Sequence, residues 1–508
     1  MARVSFVYRN NESLGIEYIS AFIKKYGHQV RLVFDPGLFD TYYLTNNLLN
    51  IIFNFNKITV DCIIATDPDL VAFSVVSDDY AWACEIAKQV KARVKVPIIF
   101  GGIHPTSVPY EVIKEDFVDY VCVGEGEYPL LELLTAIDNR KSPSKISNLW
   151  LKEDGKVIIN NVRSPLGDLD SLPFADKDIF FNEYSGFIKN SFMIVTSRGC
   201  PHSCSFCANS YLNNLYPEKA GYVRRRSVQN VIEELKLAKN KYNMKRITIF
   251  DDLFTYDKQW LREFGQEYKK YIDLPYFCCV SPASINEEVA YLLKKSNCAV
   301  VGLGIQTLNA NIRREILFRY DENDQIAKAI KFLRKSKIYV YSNIILGLPG
   351  QGLDDLLEDA EFLNFNKPDI NTIYWQRYYP ATAIIDKALS LSYLKKEDVV
   401  NINSGKSYAP YSLGGNTYNK DMARIGNLLL LVHMLPRALF KFIIRNKVYK
   451  IFPVRNYNFL SVILTGFIKK PFFRMKMIFF YLTPFEYLKF CLFYVNKKIT
   501  IMLRIKVI

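Results

Sequence analysis

Short β-branched apolar runs alternate with longer amphipathic stretches from the start of the chain. Val4-Ser5-Phe6-Val7-Tyr8 predicts a first strand. Leu14, Tyr18, Phe22 and Ile23 follow at helical spacing, and Gly27 stands where a helix C-cap is expected. Further strands are predicted at 30–34, 70–75, 96–100 and 120–123, with a helix near 80–91. Strands alternating with helices at this rhythm build an open, doubly wound parallel α/β sheet, here over residues 1–140. Ligands of such sheets bind beyond the carboxyl ends of the strands. Those ends carry Gly101-Gly102-Ile103-His104-Pro105 and Gly124-Glu125-Gly126-Glu127. His104, next to Pro105, reads as a turn residue more readily than as a metal ligand.

The pattern then changes twice. Residues 141–190 predict a connector, with a hairpin turning at Glu153-Asp154-Gly155 and an extended, proline-marked stretch at 169–174. From 191 to 410 the α/β rhythm returns. Strands are expected at 192–196, 246–250, 276–280, 300–304, 340–346 and 372–377. Helices are expected at 228–239, 258–271, 287–295, 324–335 and 353–364. Six such units predict a partial (β/α)6 barrel, whose chemistry belongs at the carboxyl ends of its strands. Between 421 and 508 short apolar runs are broken by Lys, Arg and Pro, which predicts a helical, basic, aromatic tail.

Composition narrows the class. A length of 508 residues argues for two or three domains, and 50% hydrophobic content argues against disorder. Ten cysteines are too sparse for a disulfide scaffold and fit a reducing cytosol. The first residues read as a strand rather than a signal peptide, so a cytoplasmic location is expected. The net charge is +15, yet residues 421–508 hold 16 Lys and Arg against two acids, Asp421 and Glu486. Basicity therefore belongs to the tail and says nothing about the substrate of the core. The longest apolar candidate, 475–495, contains Lys476, Pro484, Glu486 and Lys489, too polar for a spanning helix. Amphipathic helices on an anionic membrane surface are expected, with a helical cap packed on the barrel as the alternative. Nucleic acid is not favoured, because no RNA-binding module accompanies the tail.

The strongest chemical signal is Cys200, Cys204 and Cys207, a C-x3-C-x2-C array that follows the first barrel strand and a Ser197-Arg198-Gly199 turn. Soft thiolates at this density select zinc, copper(I) or an iron–sulfur cluster. Structural zinc wants four ligands, and the sequence has no second half-site. Cys278 and Cys279 are adjacent and point to opposite faces of a strand, and His202 would strain the loop. Three thiolates suit a [4Fe–4S] cluster with one iron open to a small molecule.

The array resembles the signature of radical S-adenosylmethionine (SAM) enzymes. The resemblance implies that SAM chelates the open iron and is cleaved to a 5′-deoxyadenosyl radical. It directs attention to other strand ends. Asp252 is placed to accept from the methionyl ammonium, and Gln306 to bridge ribose hydroxyls. Arg319 matches a recurrent family arginine, and Gly347 lets backbone approach the ligand. Tyr379-Pro380-Ala381-Thr382 is similar to the family's Tyr-Pro-Gly-Thr segment. Residues 1–140 resemble the cobalamin-binding domain that precedes many of these barrels, with Gly101, Gly102, His104, Gly124, Glu125 and Gly126 as the expected cobalamin face. The loop Asn10–Gly15 lacks the histidine with which many such domains ligate cobalt. The resemblance further implies methyl transfer or another radical transformation of a small or lipid-like substrate, and a one-electron reductant such as flavodoxin or ferredoxin. No catalytic side chain is assigned. The competing expectation is a non-enzymatic zinc or iron–sulfur electron-transfer module with a vestigial N-terminal domain.

Overall fold

The computed structural model describes the chain except residues 40–46, 185–190, 217–220, 407–417, 456–483 and 506–508. Its first sheet holds β1 (Arg3–Arg9), β2 (Gln29–Asp35), β3 (Leu70–Ser74), β4 (Ile98–Gly101), β5 (Tyr120–Cys122), β6 (Leu149–Glu153) and β7 (Lys156–Ile159). The order is β2-β1-β3-β4-β5-β6-β7, and the first five strands are parallel. Both faces are covered, which is why β3 is apolar from Leu70 to Phe73. Leu70 and Ala72 enter one core while Val71 and Phe73 enter the other. Strand order reverses between β1 and β3, the switch point at which doubly wound sheets open a ligand crevice.

The predicted hairpin forms but does not stand apart as a connector. Its first strand, β6, pairs antiparallel with β5, so the hairpin completes the edge of the N-terminal sheet. Trp150 is buried against that sheet, so joining it removes apolar surface from water. Two helices in the β2–β3 crossover, Asn47–Ile52 and Asn56–Ala65, were not legible because asparagines interrupt the apolar period. The stretch Leu48–Ala65 is long and apolar enough to cross a membrane by composition, yet Val60 and Ile63 pack into the sheet core.

The second sheet is the partial barrel. It comprises β8 (Ser191–Ile194), β11 (Arg246–Ile249), β12 (Tyr276–Val280), β13 (Cys298–Gln306), β14 (Tyr339–Leu346) and β15 (Ile370–Trp375), in the order β15-β14-β13-β12-β11-β8 and all parallel. A separate ladder pairs β9 (Ser197–Arg198) with β10 (Arg224–Arg225). The expected helices are found at Val228–Tyr242, Lys258–Tyr271, Glu287–Lys295, Asn323–Lys335 and Leu353–Asn366. Six β/α units are thus borne out.

The tail corrects one expectation. Helix Lys420–Leu431 is part of the barrel core, with Ala423, Ile425, Leu428, Leu429 and Leu430 buried against β14, β15 and helix Leu353–Asn366. Asn371 Nδ2 donates to the Leu429 carbonyl at 2.9 Å, and Asn364 Nδ2 to that of Val432 at 2.7 Å. This helix is a packed cap and has no face left for a membrane. Helix Pro484–Ile505 returns to the N-terminal sheet, where Tyr494 donates to the Phe34 carbonyl and Phe490 and Cys491 are buried. Much of the 475–495 candidate lies outside the described residues.

Candidate active site

The cysteine loop leaves β8 at the carboxyl end of the barrel and is fastened on three sides. Gly199 has φ +86°, and a Cβ there would lie 2.4 Å from the Tyr222 carbonyl oxygen, so only glycine lets β9 lie against β10. Ser205 N donates to Leu317 O at 3.1 Å, and Ser205 O accepts from Ile384 N at 2.9 Å. Cys207 caps helix Ala208–Leu215, and its sulfur accepts from Asn209 Nδ2 at 3.7 Å. Asn209 is itself held by the Tyr222 hydroxyl at 2.6 Å.

Burial pushes the Cys200 thiol up to about 12, Cys204 to about 11, and Cys207 upward as well. Such thiols ionise only when a cation compensates the lost hydration, which a cluster supplies. The three feel one another's charge. Among the described residues, no three His, Cys, Asp or Glu side chains converge as ligands of a single ion do. Three soft thiols on one loop suit a cluster that leaves one iron open, whereas structural zinc takes four protein ligands.

Other expected residues gather at the same mouth. Asp252 follows β11, is bonded by Asn209, and its charge reaches Cys200 and Cys207. Gln306 ends β13 with φ +71°, where the register with β14 slips. A Cβ on Gly304 would lie 2.9 Å from Gln306 Nε2 and 3.3 Å from Arg319 Nη1, so both side chains lie over that glycine. Arg319 is aimed by Asp321 at 2.8 and 3.0 Å, and its charge reaches Cys204. Burial opposes ionisation of Asp321. Arg319 and donors from Ala283 and Ser281 outweigh it and hold that carboxyl below its usual range. Gly347 closes β14, with its N–H on Gln351 Oε1 at 2.8 Å.

The residues expected on the cobalamin face all lie at the carboxyl edge of the first sheet, but several have partners within the protein. A Cβ on Gly102 would meet the Val75 backbone at 2.8 Å, so this glycine serves chain packing. One on Gly101 would touch Cys122, and one on Gly126 would touch Ile19 at 3.0 Å. Gly124 faces the Tyr216 hydroxyl. Glu125 is bound by Arg198, Arg224 and the Leu166 amide. His104 is not a turn cap. It is fully buried in helix Ile103–Ser107, its Nδ1 2.9 Å from Ser77 Oγ and its ring 4.1 Å from that of Tyr80. Burial lowers its pKa to about 4 and keeps it neutral. Its Nε2 has no partner among the described residues.

The carboxyl edges of the two sheets face each other across contacts the sequence did not announce. Tyr211 donates to the Thr106 carbonyl at 2.6 Å, from the helix that Cys207 caps. Arg198 meets Glu127 at 2.6 Å, and Arg377 meets Asp78 at 2.8 Å. Asp251 is the buried hub behind the loop, accepting from Thr196 N at 2.6 Å, Thr196 Oγ1 and Ser197 N. A cavity of about 290 Å³ opens beside Glu125, Glu127, Asn148, Arg163, Leu166 and Tyr216. The basic run Arg224-Arg225-Arg226 was the available signal for this junction. The N-terminal crevice and the three-thiol loop therefore fit cobalamin and a [4Fe–4S] cluster on facing edges.

Residues 194–363 match the Radical SAM superfamily, and residues 7–134 match the B12 binding domain. An uncharacterized methyltransferase of Pyrococcus horikoshii is 27% identical over 384 residues, covering 74% of this chain and 78% of that protein. Cytidylyl-2-hydroxyethylphosphonate methyltransferase of Streptomyces wedmorensis is 25% identical, covering 66% and 69%. Among solved structures, the radical SAM methyltransferase TsrM of Kitasatospora setae superposes with a TM-score of 0.60 at 17% identity, covering 77% of this chain and 76% of that one, a likeness of fold. The chain is thus a radical SAM enzyme. It belongs to the branch with an N-terminal B12-binding domain, and its cofactors are a [4Fe–4S] cluster, SAM and cobalamin. These matches do not favour a non-enzymatic metal module.

Proposed function

We propose that the protein is a cobalamin-dependent radical SAM methyltransferase that methylates an unactivated carbon of a small or lipid-like substrate. The observation that carries this reading is the opposition of the two carboxyl edges, joined by Tyr211 and Arg198 beside the thiol loop. The methyltransferase names of the two relatives support it. Bound there, the cluster with SAM supplies a hydrogen-abstracting radical, and cobalamin supplies the methyl group. Cys200, Cys204 and Cys207 hold the cluster. Asp252 accepts from the SAM ammonium, while Gln306 and Arg319 orient its polar groups beside Gly304. The backbone at Gly347 would let the adenine or the methionine of SAM approach closely. The 101–104 and 124–126 loops would line the site that holds cobalamin, with buried, neutral His104 among them, and Asn10–Gly15 would supply no histidine to cobalt. A flavodoxin- or ferredoxin-type reductant delivers the electron. Peripheral attachment to an anionic membrane belongs to the same reading.

Anaerobic reconstitution tests the assignment. Wild-type protein is expected to bind four irons and release 5′-deoxyadenosine with dithionite, and Cys204→Ala to lose both while keeping its far-ultraviolet spectrum. Release of 5′-deoxyadenosine by the variant at the wild-type rate would overturn the cluster assignment. Cobalamin retained in the Co(II) state should show no nitrogen splitting from a protein imidazole.

A further inference from the structure

The barrel has a second pole that the chemistry does not use. Helices Asn323–Lys335 and Leu353–Asn366 end there, and each leads into the amino end of the next strand. Their ends border a groove of about 510 Å³ lined by Lys328, Lys331, Arg334, Lys335, Phe365 and Asn366, in which Lys335 is paired with Glu287 at 2.6 Å. The tail adds to it. Arg437 lies over the exposed Phe365 ring at 4.3 Å, at the start of helix Arg437–Arg445. Burial, then the charges of Arg437 and Arg334, lower the pKa of Lys367, so positive charge is crowded at this point.

Helix Arg437–Arg445 turns Phe440 and Ile443 inward and leaves Leu439 and Phe442 exposed. Segment Val448–Ile451 follows, with Ile451 82% exposed. Between 437 and 455 stand six cations, Arg437, Lys441, Arg445, Lys447, Lys450 and Arg455, and no acid. An apolar stripe flanked by cations only, beside a cationic groove, matches a surface that is anionic outside and apolar beneath. A folded acidic partner would also match the charge and bury Leu439, Phe442 and Ile451, so partitioning onto vesicles of lipid alone is what separates the two.

We propose that this pole, made by helix Arg437–Arg445, segment Val448–Ile451 and the groove between Lys328 and Phe365, docks the protein on an anionic phospholipid bilayer. The proposal deepens the membrane part of the functional reading and is independent of the methyl-transfer part. It also sets an orientation. The strands are parallel, so the docking pole is at their amino ends and the thiol loop at their carboxyl ends. The active site then opens away from the bilayer, and substrate enters from the aqueous side.

Full-length protein should float with phosphatidylcholine vesicles containing phosphatidylglycerol, less with phosphatidylcholine alone, and dissociate in high salt. K441E/R445E should lower partitioning about fivefold for each cation removed. L439S/F442S should lower it at both low and high salt, while K95E, on the N-terminal domain, should leave it unchanged. Equal circular dichroism and thermal midpoints establish that the variants fold. No preference for anionic vesicles, or unchanged partitioning of both double variants, would overturn the proposal. So would vesicle indifference combined with salt-sensitive RNA binding lost in K441E/R445E. None of these outcomes depends on catalytic activity.

Discussion

Arg198 meets Glu127 at 2.6 Å, and this contact ties the thiol loop to the first sheet. Arg198 stands two residues before Cys200 on β9, while Glu127 opens the helix that follows β5. The same guanidinium reaches Glu125 at 3.1 Å, and Arg224 on the neighbouring strand holds Glu125 too. Both partners are largely buried, so they keep more of their Coulomb energy than a surface pair does. The separation of the two facing edges is therefore set by charges on the element that bears the cysteines.

Arg198→Met should separate two properties that a purely structural pair would lose together. We expect a stability loss of about 2 kcal/mol in urea, since Glu127 and Glu125 lose a partly buried partner. Iron incorporation should persist, because the three thiols remain. Release of 5′-deoxyadenosine should then exceed methylated product severalfold more than in wild type. Wild-type coupling of the two yields would show that the contact does not position the edges.

Gly199→Ala is expected to fail differently. Alanine at φ +86° is strained, and its Cβ would meet the Tyr222 carbonyl at 2.4 Å. The β9–β10 ladder must open to relieve the clash, displacing the loop that follows. Iron bound per chain should fall well below four while the far-ultraviolet spectrum changes little. Full iron loading would show that the ladder does not shape the loop.

The barrel was legible because its strands are short, buried and mostly apolar, and because amphipathic helices such as Lys258–Tyr271 carry a clear apolar stripe. The cysteines were legible because their spacing is a chemical constraint. Gln306 and Arg319 were found separately, but their approach over Gly304 depends on a slip in register that no local pattern reveals. The edge-to-edge contacts were not legible for the same reason. Arg198 and Glu127 are 71 residues apart, and each alone reads as an ordinary surface charge. Helix Lys420–Leu431 was misread because a basic neighbourhood obscured an apolar run that fits the barrel.

Asp359 supplies a pH dependence remote from the metal loop. It is fully buried, Oδ1 accepts from Leu308 N at 2.7 Å, and Oδ2 has no partner among the described residues. Burial, then the charges of Asp355 and Glu358 against that of Arg313, raises its carboxyl to about 8. A carboxyl whose folded pKa exceeds its unfolded value stabilises fully below the unfolded value, and that contribution is lost as pH rises toward 8. Asp359→Asn carries no such proton. Its stability relative to wild type should rise by about 2 kcal/mol between pH 6 and pH 8, on the scale of 1.4 kcal/mol per unit. Parallel pH profiles in urea titrations would place the Asp359 pKa below this window.

Within the tail, helix Lys420–Leu431 is buried in the barrel, whereas helix Arg437–Arg445 should present one face, with Leu439 and Phe442, that the fold does not need. Leu428 is fully buried among β14, β15 and helix Leu353–Asn366, whereas Leu439 is exposed eleven residues later. Leu428→Ala leaves a cavity in a core that cannot collapse freely, because Asn371 and Asn364 pin the helix on either side. A loss of about 2–5 kcal/mol is expected. Leu439→Ser removes an exposed apolar group and should change stability by less than about 0.5 kcal/mol. Urea midpoints of the two full-length variants decide the matter. Equal destabilisation would mean that both positions are packed, and a neutral Leu428→Ala would mean that the barrel does not need helix Lys420–Leu431 as a cover. Cutting the chain near 420 cannot replace this comparison, because it removes core and surface together.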